Sequence, residues 1–321
     1  MTRPALVLIA CAIAACAMPQ RADAISREED IVRDLGQIFK APSTYPPNPL
    51  LRPNVEGDAI RVISPIAPDE GPATGTTPES PPIRAYPFLA ALVEGGRPPQ
   101  EGYVCAGTLI APHWILTAAH CTFNWSRRWP TDPDAYALFD TSRLSAPGPR
   151  YRIDKIIAHP QYDPRGLKND LALVRIDTKG ATAGVPLRLE GPPSSEQAGE
   201  IGHVLGWGST NINLLKQPTG SLQFIQVTFR GDDCFSAATY GKLKGTGVFC
   251  ASSLFRFHDV CYRFSGGPLF TRDAKGIRYL IGMVSWSATC PPQVDRLNLF
   301  LDVQFYVPWI KSIIAANGGP D

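Results

Sequence analysis

From Tyr86 onward the apolar residues of this chain come in short runs separated by Gly, Pro, Asn and Asp. Phe88-Leu89-Ala90-Ala91-Leu92-Val93, Gly107-Thr108-Leu109-Ile110, Leu171-Ala172-Leu173-Val174-Arg175-Ile176 and His203-Val204-Leu205-Gly206 have the length and the boundaries of strands. Only residues 303–314, with Val307, Ile310, Ile313 and Ile314 spaced three or four apart, carry a helical period. The pattern predicts one all-β domain closed by a terminal helix, with no internal repeat.

Upstream of Tyr86 the composition does not support a core. Prolines recur through residues 41–87, as in Tyr45-Pro46-Pro47-Asn48-Pro49 and Ser80-Pro81-Pro82, with few apolar residues between them. Residues 25–84 read as a pro-segment or a Pro-rich linker. It holds one short amphipathic helix, marked by Ile31, Leu35 and Ile38 behind the capping box Ser26-Arg27-Glu28-Glu29. Residues 1–24 read as a signal peptide: one positive charge at Arg3, an apolar run too short to span a bilayer, and a small-x-small site ending at Ala24. A second reading takes Ile13-Ala14-Ala15-Cys16 as a lipobox, which would leave Cys16 lipidated and the protein held at a membrane. Either reading places the mature chain outside the cytoplasm, secreted or periplasmic. The formal charge of +2, without long basic runs, offers no footprint for nucleic acid and no polybasic strip for anionic lipid.

Of the eight cysteines, Cys11 and Cys16 lie in the export segment, which leaves Cys105, Cys121, Cys234, Cys250, Cys261 and Cys290. An even number in an exported chain points to disulfides, with fifteen pairings open on sequence alone. Zinc is the competing use of cysteine, and no short Cys-x-x-Cys pair supports it. No metal or other cofactor is expected.

Three segments carry chemistry: Leu116-Thr117-Ala118-Ala119-His120-Cys121, Asn169-Asp170-Leu171-Ala172-Leu173 and Phe264-Ser265-Gly266-Gly267-Pro268-Leu269. Together with Gly206-Trp207-Gly208 and Val284-Ser285-Trp286 they resemble, in order, the trypsin and chymotrypsin-like serine proteases. The resemblance runs from about Pro87 to the terminal helix. It implies two six-stranded antiparallel β-barrels with a C-terminal helix, and a peptidase domain over residues 85–316. It also implies the pairs Cys105 with Cys121, Cys234 with Cys250, and Cys261 with Cys290. His120, Asp170 and Ser265 match the catalytic triad. A serine hydroxyl is a poor nucleophile at neutral pH, so it needs an imidazole to take its proton, and a buried carboxylate to hold that imidazole in the right tautomer. His113, His159, His203 and His258 lie outside these motifs and read as ordinary polar residues.

The resemblance further implies an oxyanion hole formed by the backbone N–H groups of Arg263 and Ser265, and a specificity pocket with Asp259 at its floor. Ser285, Trp286, Ser287 and Asn298 would line that pocket. An aspartate at the floor implies cleavage after Lys or Arg. Ser287 and Asn298 stand where the family has glycines, which narrows the slot, and Asn298 can donate to Asp259.

Two further departures touch the machinery itself. Arg263 replaces a glycine. Phe264 replaces an aspartate that, in the family, pairs with the ammonium released when a zymogen is cut before Ile-Val-Gly-Gly, a sequence this chain lacks. The aligned stretch is about Ala73-Thr74-Gly75-Thr76, and Arg61-Val62-Ile63 is too far upstream. Losing both partners of a buried ion pair to apolar groups can be neutral, so Phe264 and the missing Ile-Val-Gly-Gly explain each other. The leading expectation is an exported, monomeric serine endopeptidase acting on proteins or peptides and open to a protein inhibitor. The alternative is a catalytically silent homologue that binds proteins through the same cleft, with an esterase as a third reading.

Overall fold

A computed structural model of the chain describes residues 82–122, 135–165, 168–210, 220–231, 241–254, 259–287 and 297–319. The signal peptide, Cys16, nearly all of the linker with its helix, His258, Cys234 and Cys290 lie outside these residues. Strands β1 (Leu89–Glu94), β2 (Tyr103–Ala111), β3 (Trp114–Thr117), β4 (Ala135–Leu138), β5 (Arg150–Ala158) and β6 (Ala172–Asp177) close into one barrel in the order β1-β2-β3-β6-β5-β4. Strands β7 (Ile201–Gly206), β8 (Gln223–Phe229), β9 (Val248–Ser253), β10 (Pro268–Arg272), β11 (Arg278–Ser287) and β12 (Asn298–Asp302) close into a second, in the order β10-β11-β12-β9-β8-β7. Each strand pair is antiparallel. The fold is therefore the two-barrel architecture the resemblance implied, and closure leaves neither sheet an open edge.

The residue pattern explains how each strand sits. In β8 the buried residues Ile225, Val227 and Phe229 alternate with half-buried Gln226 and Thr228, so one face fills the barrel and the other meets solvent. In β1 all of Leu89 to Val93 is buried, because both faces are covered. One apolar cluster joins Trp114, Leu116 and Leu173 of the first barrel to Trp207, Met283 and Leu301 of the second. A second cluster fills the second barrel, where Phe249 stacks on Phe229 and Phe300.

After β12 the chain enters helix α1 (Val303–Ala316), whose first turn is capped by the Asp302 carboxylate accepting from Gln304 N–H at 3.1 Å. Its buried residues Val303, Tyr306, Ile310 and Ile314 form the stripe that meets the barrels. Among the described residues no helix is long and apolar enough to cross a membrane.

Candidate active site

The site is built by strand pairing. Antiparallel β3 and β6 match Thr117 with Ala172, so the end of β3 lies beside the start of β6. His120 follows β3 by three residues and Asp170 precedes β6 by two, which brings both side chains to one corner of the first barrel. There the Asp170 carboxylate lies 2.8 Å from His120 Nδ1 through Oδ2 and accepts from His120 N–H at 2.9 Å through Oδ1. Asp170 is 1% exposed and the imidazole 23%, so the carboxylate is sealed while the ring faces outward.

A third group completes this arrangement from the other barrel. Ser285, on β11, donates its hydroxyl to Asp170 Oδ2 at 2.6 Å. Burial alone would raise the Asp170 carboxyl. The adjoining imidazole, its hydrogen bond and those from Ser285 and the His120 backbone outweigh burial and hold it below the ordinary carboxylate range. An ionised Asp170 favours the tautomer with the proton on Nδ1, which leaves Nε2 as the base.

Ser265 lies in the turn before β10 and is located through its backbone. Its carbonyl accepts from Ala106 N–H at 2.9 Å, and the Ala106 carbonyl accepts from the Thr117 hydroxyl at 2.8 Å. Gly266 has φ +77°, and a Cβ there would stand 2.2 Å from Ala106 O and 2.3 Å from Thr117 Oγ1. Only glycine lets this turn approach the strand that leads to His120. Gly266 N–H then donates to Val284 O at 2.8 Å, beside Ser285. Among the described residues no hydrogen bond joins the Ser265 hydroxyl to the imidazole, whose Nε2 lies 3.7 Å from Cys121 Sγ.

A disulfide links Cys105 of β2 to Cys121, with Cα atoms 6.1 Å apart. It closes a separation of 16 residues, worth about 3 kcal/mol in the chain-entropy account. It also staples the His120 segment to the strand that holds the Ser265 carbonyl. Cys250 and Cys261 are disulfide-bonded too, while the partners read for them, Cys234 and Cys290, lie outside the described residues. Cys105, His120 and Cys121 bring two sulfurs and an imidazole within 4.8 Å, but the sulfurs are joined to each other, so this cluster has no thiolate to offer a metal.

The two residues before Ser265 are both accommodated. Arg263 adopts φ +65°, a left-handed conformation that costs a non-glycine residue about 1–2 kcal/mol. Phe264 is fully buried in the second core cluster.

Asp259 is also buried, at 3% exposure, and its Oδ1 accepts from Val260 N–H and from Asn298 Nδ2, each at 2.7 Å. Burial raises its carboxyl above the ordinary range, and those two bonds only partly offset this. The backbones of Trp286 and Ser287 lie opposite Leu299 and Asn298, and their side chains fall outside the described residues. The Ser285 hydroxyl is directed to Asp170. That contact spans 115 residues of sequence, and no local pattern announces it.

Comparison with known proteins matches residues 77–310 to a family model described as Trypsin. Transmembrane protease serine 11A of Homo sapiens is 30% identical over 235 residues, covering 72% of this chain and 53% of that protein. Coagulation factor XII of Sus scrofa is 32% identical over 242 residues, covering 71% and 37%. Hepatocyte growth factor activator serine proteases of Canis lupus familiaris is 28% identical over 243 residues, covering 74% and 36%. The chain thus spans about half, or less, of the length of these relatives.

Proposed function

The chain belongs to the trypsin family of serine proteases, and on that premise we propose that it is an exported endopeptidase cutting protein or peptide substrates after Lys or Arg through an acyl-enzyme. The observation that carries this reading is the buried Asp170 carboxylate, bound at once by His120 and Ser285 at the corner where Ser265 turns back on β2. In this reading Ser265 Oγ attacks the scissile carbonyl while His120 Nε2 takes its proton. The tetrahedral oxyanion is held by the N–H groups of Arg263 and Ser265. Collapse expels the amine, which receives the proton from His120, and water repeats the sequence to release the acid. Asp170 stays ionised throughout and stabilises the imidazolium. Export rests on the leader-like residues 1–24 and agrees with the Cys105–Cys121 disulfide, and residues 25–84 are a linker or pro-segment ahead of the domain.

One observation favours a second reading. Arg263, at φ +65°, holds a strained conformation at a residue assigned to the oxyanion hole, which a silent homologue that only binds proteins could tolerate. A fluorophosphonate probe separates the two readings, because labelling requires both an activated nucleophile and a working oxyanion hole. The mature protein should label at Ser265 and hydrolyse peptide esters. Ser265→Ala and His120→Ala should each lose labelling and about 10⁶ in turnover. Wild type that stays unlabelled, or hydrolysis that survives both substitutions, would overturn the endopeptidase reading.

A further inference from the structure

Tyr103 begins β2 and is buried, 160 residues away from Arg263 in sequence. The two residues bind each other reciprocally. The Tyr103 hydroxyl donates to the Arg263 carbonyl at 3.1 Å, and Arg263 Nη1 donates to the Tyr103 carbonyl at 2.5 Å. The phenol oxygen also accepts from the Trp207 backbone, which leaves its own proton to point at Arg263. Burial pushes the phenol far above its ordinary range, so it remains a donor through neutral and mildly alkaline pH. Its ring is held edge-on by Trp207, with centroids 5.8 Å apart, and Trp207 is itself tied by Nε1–H to the Thr141 carbonyl at 3.1 Å.

The carbonyl that Tyr103 grips belongs to the peptide between the two N–H groups assigned to the oxyanion hole. Resting on the acyl-enzyme reading above, we infer that Tyr103 is a positioning residue. With the Arg263 side chain as its counterpart, it holds the Arg263–Phe264 peptide from the first barrel so that the left-handed turn keeps both donors aimed at the oxyanion. A glycine reaches this conformation without strain, whereas an arginine there needs an external hold, and the reciprocal pair supplies it. The guanidinium is thereby turned back onto β2.

Tyr103→Phe removes one hydroxyl and keeps the ring against Trp207. It should slow fluorophosphonate labelling of Ser265 and lower kcat about tenfold, the size of one modest hydrogen bond, while KM stays within about twofold. Hydrogen exchange across residues 262–266 should quicken. Arg263→Met should act in the same direction. The double variant should fall short of the product of the two single effects, since both bonds steady one peptide. Wild-type labelling, turnover and exchange in Tyr103→Phe would overturn the inference while leaving the endopeptidase reading intact. A wild type that never labels would bring down that reading instead. Exchange, which needs no turnover, would then decide by itself whether Tyr103 holds the turn, and unchanged protection would overturn that too.

Discussion

Asp170 and Asp259 are two buried carboxylates whose surroundings push them in opposite directions. Asp170 faces an imidazole and accepts three hydrogen bonds, and these overcome its burial. Among the described residues Asp259 faces no cation, and it accepts two bonds through a single oxygen, so burial prevails. In Asp259 the folded pKa lies above the unfolded one. Its contribution to stability is therefore complete below the ordinary carboxyl range and is lost as pH rises through the raised value. Asp259→Asn keeps an acceptor for Val260 and Asn298 but has no charge to bury. Its melting temperature should gain on wild type as pH goes from about 4 to about 7. The same substitution should reduce the preference for Lys or Arg in a peptide library about a hundredfold, as expected when one partner of a desolvated charge pair is removed. A melting difference that ignores pH, together with an unaltered cleavage profile, would remove Asp259 from the pocket floor. His120, Asp170 and Ser265 could be singled out from sequence because each sits in a short stretch whose neighbours are themselves required, such as Gly266 under Ala106 and Thr117. The bond from Ser285 to Asp170 and the pairing of Tyr103 with Arg263 were not legible, because each acts across more than a hundred residues.

At the scale of elements, the turn from Cys261 to Gly267 is shaped by what lies under it. Phe264 fills a slot at the end of β7, where Gly206 and Gly208 flank Trp207. A Cβ on Gly206 would lie 2.9 Å from Phe264 Cδ1, and its three nearest atoms all belong to that ring. Gly206→Ala should therefore cost about 1–3 kcal/mol by overpacking. In a Phe264→Ala background, itself weakened by about 3–5 kcal/mol, the penalty should vanish, a coupling that equilibrium unfolding can measure. Equal penalties in both backgrounds would mean that Phe264 does not fill the slot. Strands with continuous apolar runs, such as β1 and β6, were legible from sequence. By contrast, β5 reads Arg150-Tyr151-Arg152-Ile153-Asp154-Lys155-Ile156-Ile157-Ala158, with only Ile153 buried, and it went unseen. It is specified by partners on both sides rather than by its own pattern: β4, β6 and the cross-strand pair of Arg175 Nε with Asp154 at 2.9 Å.

At the scale of the whole molecule, the His120–Asp170 pair and the turn that carries Ser265 come from both barrels, so whatever holds the barrels together also holds the candidate site. On one side Tyr306 of α1 donates to Asn169 Oδ1 at 3.0 Å, next to Asp170, and Lys155 donates to Asn317 at 2.7 Å. On another, the chain enters the domain under Arg278, which donates to the Ala85 carbonyl at 2.7 Å and lies 5.1 Å from the Tyr86 ring. Tyr86 in turn contacts Phe88, Phe224 and Phe270. Where the family places an acid to receive an ammonium at the nucleophile turn, this molecule buries a phenyl ring. The buried acids among the described residues have other work: Asp170 binds His120 and Ser285, while Asp259 binds Val260 and Asn298. An inserted ammonium would thus meet an apolar slot, and an unpaired buried charge costs several kcal/mol. The turn should accordingly be organised without a newly released N-terminus. Acetylating the mature N-terminus should leave kcat/KM within about twofold of the unmodified protein. The two pH–rate profiles should also coincide from about pH 7 to about pH 10, the span in which a free or buried α-amino group would lose its proton. If activity depended on that ammonium, it would fall as pH rises through the amine's pKa and would vanish on acetylation at every pH. Either result would show that a terminus reaches the turn and that Phe264 does not replace it.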